Sequence, residues 1–116
     1  MHGSTPTGTT QGDAVFVNAW VVTDGCQEEF VEAIDGLFKR ARQLDGFLEG
    51  ELLRGVNPTR FVSYARMRSE RDRQRLLDDR EFSARLQTAG QIARSDLHSY
   101  EVLRAYGGLA ARRRTT

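Results

Sequence analysis

The sequence predicts an α+β domain with the element order β-α-β-β-α-β. Two observations carry that expectation. "AVFVNAWVV" (14–22) and "RFVSYARM" (60–67) are rich in β-branched and aromatic residues, as strands are. Between them, "QEEFVEAIDGLFKRARQL" (27–44) spaces its apolar residues as one helical stripe. A chain of 116 residues is long enough for one such domain with a real core.

The elements follow in order. The first strand spans 14–23, and "TDG" (23–25) supplies turn chemistry after it. In the helix over 27–44, Phe30, Ile34, Leu37, Phe38, Ala41 and Leu44 form the inward stripe. Glu28, Glu29 and Glu32 sit toward its start and Lys39, Arg40 and Arg42 toward its end, as the helix dipole favours. "LDGFLEGELLRG" (44–55) turns at Asp45-Gly46 and becomes the second strand. "VNPT" (56–59) is a turn, because Pro58 cannot continue a central strand. The third strand, 60–67, pairs with the second as a hairpin.

Ser69, three residues before Asp72, predicts a helix cap. One helix or two short ones then cover 70–93, with Leu76, Leu77, Phe82, Leu86 and Ile92 inward. "LHSYEVLRAY" (97–106) reads as the fourth strand, ended by Gly107-Gly108. The order is that of a ferredoxin-like fold, a four-stranded antiparallel sheet with two helices on one face. The domain is expected over 13–107, with disordered tails at 1–12 and 108–116.

Composition excludes several classes of function. Net charge is +1, and the densest basic run, "RSERDRQR", alternates with acids, so no nucleic-acid partner is expected. No apolar run approaches the roughly 18 residues of a membrane span. The start, "MHGSTPTGTTQGD", lacks the pattern of a secretory leader, so the expectation is a cytoplasmic protein without a membrane partner. Cys26 is the only cysteine, which excludes an internal disulfide, and two histidines supply metal ligation poorly.

One residue breaks the pattern of the first strand. Asn18 stands among strand formers, and a buried amide without partners is costly. Alternation puts Phe16, Asn18, Trp20 and Val22 on one face and Val15, Val17, Ala19 and Val21 on the other. Val15, Val17, Val21, Val62 and Tyr64 then form a sheet face that the helices do not cover, which predicts a symmetric homodimer.

The stretches "VNAWVV", "DGFLEGELLRGV", "RFVSYARMRSE" and "YEVL" resemble, in this order, the antibiotic-biosynthesis-monooxygenase family of dimeric α+β barrels. The resemblance covers 14–107 and implies a pocket between sheet and helices. It implies a cofactor-independent monooxygenase of a planar aromatic, polyketide or quinol-like metabolite, with molecular oxygen as co-substrate. The alternatives on the same scaffold are a non-redox polyketide cyclase and a haem-binding or haem-degrading relative. Haem-degrading members are similar in "VNAW" and "LLRGV", and they use an Asn at the position of Asn18. Their Trp and haem-ligating His align with Met67 and about Leu86, and Leu86 cannot ligate iron. Anthrone oxygenases place an Asn and a Trp on the third strand, at Ser63 and Met67 here.

Asn18 and Trp20 are therefore the expected catalytic residues, as amide and indole donors in an apolar wall. Phe16, Ser63, Met67 and Phe82 are expected to line the substrate pocket. Arg85 offers a five-donor fork for a carboxylate or phenolate, and His98 is the one conventional base. No metal site is expected.

Overall fold

The computed structural model describes residues 12–109. Its elements are β1 (Ala14–Val22), α1 (Gln27–Ala41), β2 (Phe47–Arg54), β3 (Arg60–Met67), α2 (Glu70–Asp78), α3 (Arg80–Gly90) and β4 (Ala93–Glu101). The strands form one antiparallel sheet in the order β2-β3-β1-β4. This is the expected ferredoxin-like α+β fold, with two short helices rather than one over the second helical stretch.

The extra break falls at Asp79. Its backbone is extended (φ −68°, ψ 128°), and its carboxylate caps α3 by accepting from the Phe82 N–H at 2.9 Å. The same carboxylate accepts two hydrogen bonds from Arg40 on α1, at 2.9 and 2.8 Å. One side chain thus ends a helix, starts the next and ties both to α1. Ser69 caps α2 as expected, accepting from the Asp72 N–H at 3.1 Å.

The fourth strand requires a correction: it runs over Ala93–Glu101, not 97–106. Its register against β1 runs from Val22↔Ala93 to Ala14↔Glu101, so β1 sets its length. β4 is an edge strand, and edge strands carry polar residues that discourage further pairing. Arg94, Ser95 and Asp96 therefore sit in a strand that propensity alone does not mark. The aromatic and aliphatic residues at 103 and 106, which drew the expectation C-terminally, lie past its end and are exposed. Of the expected tails, 1–12 and 108–116, all but residues 12, 108 and 109 fall outside the described residues.

The tight α1–β2 turn depends on Gly46, whose φ of +91° suits glycine. A Cβ there would lie 2.3 Å from the buried Asp72 side chain.

Along β1, Ala14, Phe16, Asn18, Trp20 and Val22 are buried beneath the helices. The core they join is divided. One cluster gathers Ala14, Phe16, Leu37, Ala41, Ala65, Met67, Leu76 and Phe82. The other gathers Trp20, Val22, Phe30, Ile34, Phe61, Ala89 and Ala93. Asn18 and Ser63, directly opposed on β1 and β3, lie between the two. Phe38 and Leu86 pack against both clusters.

Candidate active site

The break in the core is where the chemistry gathers. A niche beneath the helices is lined by Phe16, Asn18 and Trp20 from β1 and by Ser63 and Ala65 from β3. Leu37 and Phe38 on α1, Phe82 and Leu86 on α3 and Leu97 on β4 complete its walls. The lining is almost wholly apolar, with Asn18 and Ser63 as its polar side chains. The enclosed space is about 20 Å³, room for about one water-sized guest.

Asn18 is 4% exposed, and its carboxamide oxygen Oδ1 has no hydrogen-bond partner in the chain. Stranding such a group costs about 1–3 kcal/mol. An uncompensated polar atom in a native fold calls for a reason. Ser63 is partnered on one side: Trp20 donates its indole N–H to Ser63 Oγ at 2.9 Å. The indole is held in place by Phe30, edge-to-face at 5.1 Å between ring centroids. Indole nitrogen donates only, so Ser63 accepts there and its own proton is free for another acceptor.

No lining side chain presents an ionisable group to the niche. Tyr64 contributes to the wall, but its hydroxyl donates to Glu51 at 3.0 Å on the opposite sheet face. Burial and this bond raise the Tyr64 pKa.

The expected site residues separate into two groups. Phe16, Asn18 and Trp20 of β1 and Ser63 of β3 come together as strand alternation required, and Phe82 of α3 joins them. Met67 does not join them. It is fully buried in the neighbouring core cluster, at the far end of β3. Arg85 lies on the outer side of α3, paired with Glu81 at 3.5 Å and packed over Gly36 of α1. It is adjacent in sequence to Leu86, and that one-residue step on a helix turns it away from the niche. His98 is opposite Val17, so it projects from the other sheet face, where it bonds Asp96 at 2.9 Å. It cannot act as a base on anything beside Asn18.

Sequence reading missed Leu37, Phe38 and Leu97 as walls. Leu97 faces Asn18 across the β1–β4 ladder and is 37% exposed. Only the register reveals it. On the helix-facing side of β4, Ser95, Leu97 and Ser99 are exposed, and Arg73 of α2 reaches over to donate to Ser99 Oγ at 2.9 Å. Beside the niche this leaves an open shelf. A more open hollow of about 380 Å³ lies at Gly12, Ala14, Glu70, Ser99, Tyr100 and Glu101. No buried, unpartnered polar atom is found among its lining residues.

Among the described residues no group of three or more His, Cys, Asp or Glu side chains could hold a metal ion. None of their helices is long and apolar enough to cross a membrane.

No family model matches the sequence, and no curated protein matches it closely. Solved structures do. SnoaB from Streptomyces nogalater, a cofactor-independent oxygenase, superposes with a TM-score of 0.73 at 20% identity, over 84% of this chain and 97% of that one. A candidate antibiotic biosynthesis monooxygenase from Nitrosomonas europaea gives 0.70 at 20% identity, over 87% and 94%. Another from Bordetella bronchiseptica gives 0.70 at 13% identity, over 81% and 100%. The chain has the fold of the antibiotic-biosynthesis-monooxygenase-type proteins over nearly their whole length.

Proposed function

We propose that this protein is a cofactor-independent monooxygenase of a planar aromatic metabolite bearing a hydroxyl group, of the anthrone, phenol or quinol type. The observation that carries the reading is the buried, unpartnered Asn18 Oδ1 in an apolar niche next to the Trp20–Ser63 pair. The fold shared with an oxygenase supports it.

An electron-rich aromatic anion can itself pass an electron to oxygen, so the protein needs to supply placement and charge stabilisation rather than a redox group. The ring of the substrate rests on the β4 shelf at Leu97, and its oxygen enters the niche. Once solvent water at the open shelf has taken the substrate's proton, rotation of the Asn18 carboxamide presents its N–H₂ to the developing charge. For a methylene between two rings, the anion and O₂ combine to a peroxide anion, which takes the proton back from water. Loss of water then leaves a carbonyl, so that CH₂ and O₂ become C=O and H₂O with no external reductant.

The same reading has the chain working as a homodimer. Val15, Val17, Val21, Val62 and Tyr64 form a half-covered stripe on the sheet face away from the helices. A second copy laid on that stripe would close a barrel.

The test is a screen of anthrones, naphthols and quinols with an oxygen electrode. Enzyme-dependent uptake in the presence of chelator and without flavin supports the proposal. Conversion of a polyketide without oxygen uptake would make it a cyclase instead.

A further inference from the structure

The niche has a polarity that sets what can enter it. Asn18 Oδ1 is buried and only accepts. Ser63 Oγ already accepts from Trp20, so what it has left to give is a proton. These side chains are direct partners across the β1–β3 ladder, on the same face. They do not satisfy one another, since Oδ1 has no partner within the chain. The niche that they help to line encloses about 20 Å³, one oxygen atom's worth of room.

We infer that this niche binds a single neutral hydroxyl oxygen, which donates to Asn18 Oδ1 and accepts from Ser63. The inference rests on the proposed aromatic ligand and adds the ligand's protonation state and the two residues that select it. With the carboxamide oriented as in the structure, a ketone or a phenolate can only accept, so each satisfies Ser63 and leaves Oδ1 unpartnered until the amide turns. A phenolate also sets its negative charge against the partial charge of the carboxamide oxygen. A methyl ether cannot donate, and its methyl group has no room. The substrate therefore docks protonated, and its ionisation follows docking.

Trp20 acts at one remove, as a positioning residue. By occupying one lone pair of Ser63 it aims the hydroxyl proton toward the ligand. With Trp20→Phe, Ser63 is free to turn and donate elsewhere.

The test uses 4-nitro-1-naphthol, whose ionisation is visible by absorbance, and its methyl ether, both titrated under argon so that no turnover occurs. The naphthol should bind at least about tenfold more tightly than the ether, the usual worth of one or two well-made buried hydrogen bonds. Its apparent pKa should rise on binding, and affinity should fall as pH rises through the free ligand's pKa. Asn18→Ala and Ser63→Ala should each shrink the preference over the ether, with Asn18→Ala leaving the melting temperature near that of wild type. Trp20→Phe should weaken the preference without abolishing it.

Equal affinity for naphthol and ether, a lowered pKa in the complex, or no binding of the naphthol would each overturn the inference. Oxygen uptake is measured separately. Uptake with no preference for the hydroxyl sinks the inference alone, and hydroxyl-selective binding without uptake sinks the oxygenase reading alone.

Discussion

Trp20 donates its indole N–H to Ser63 Oγ across 2.9 Å, although 43 residues separate them in sequence. The bond runs diagonally over the β1–β3 ladder, since Trp20 is opposite Phe61 and Ser63 is opposite Asn18. It fastens the two strands at the gap between the core clusters and leaves Asn18 as the unsatisfied member of the group. Ser63→Ala should strand the buried indole N–H and cost about 1–3 kcal/mol. Trp20→Phe loses the bond and packing against Phe30, so it should cost at least as much. The double variant should be less destabilised than the two losses added together, with a coupling of about 1 kcal/mol. Denaturant melts of the four proteins measure it; strict additivity would show that the bond contributes nothing.

Proton transfer supplies a second prediction. No side chain aimed into the niche is a base, and His98 projects from the opposite sheet face. The pH–rate profile should therefore follow the hydroxyl pKa of each substrate, moving as the substrate is made more acidic. His98→Ala should stay within about twofold of the wild-type kcat, as surface substitutions away from a site do. A limb at one fixed pH for every substrate, and lost in His98→Ala, would contradict this placement.

Acid sensitivity is expected at the α2–α3 break. The bidentate hydrogen bond from Arg40, helped by the Phe82 N–H, holds the Asp79 carboxyl at about 2 against an ordinary 3.8. The unfolded chain takes up this proton near pH 3.8 and the folded chain only near pH 2. The stabilisation is therefore complete above the higher value and is lost as pH falls through the lower one. Asp79→Asn keeps a capping side chain but removes the charge. Its melting temperature should lie below that of wild type at neutral pH, and the gap should narrow between pH 4 and 2. A gap that stays constant over that window would show that the ion pair is not its cause.

Dimer formation is tested at Val17, at the centre of the open stripe. Val17→Asp should give a monomer or fail to fold, because a carboxylate desolvated between two sheets costs several kcal/mol. Sedimentation of the wild-type chain should show a dimer at micromolar concentration. A wild-type monomer at that concentration would refute it.

Gly46 should tolerate no side chain. Its φ of +91° and the Asp72 carboxylate 2.3 Å from a would-be Cβ predict that Gly46→Ala costs on the order of 3 kcal/mol. Thermal melts decide this, and a neutral substitution would mean that the turn and Asp72 move apart freely.

The sequence made the pocket face of β1 legible because strand alternation has only two outcomes. Once Phe16 was inward, Asn18 and Trp20 had to follow. β3 was legible for the same reason, so Ser63 fell on the right side. What failed was placement that depends on register between strands or on rotation of a helix. His98 lay on the far face because the β1–β4 register sets it opposite Val17, and that register was hidden by polar edge residues. Arg85 missed the niche by one helical step. Met67 shares the face of Ser63, but four residues along a strand carried it into the neighbouring cluster. Nothing in the sequence marks the gap between those clusters, which arises only when α1 and α3 pack on the sheet.

The proposed function requires that Asn18 serve a ligand and not the fold. Its carboxamide oxygen has no partner to strand, so Asn18→Ala should melt within about 1 kcal/mol of wild type. Removing a group aimed at a developing charge should nevertheless lower turnover on the order of 10²-fold. The decisive measurement is the rate of oxygen uptake per folded molecule for wild type and Asn18→Ala, with the best hydroxylated aromatic substrate and no added cofactor. A large fall in rate at unchanged stability is the predicted result. Equal rates, or a variant that is destabilised yet fully active, would show that the asparagine belongs to the fold.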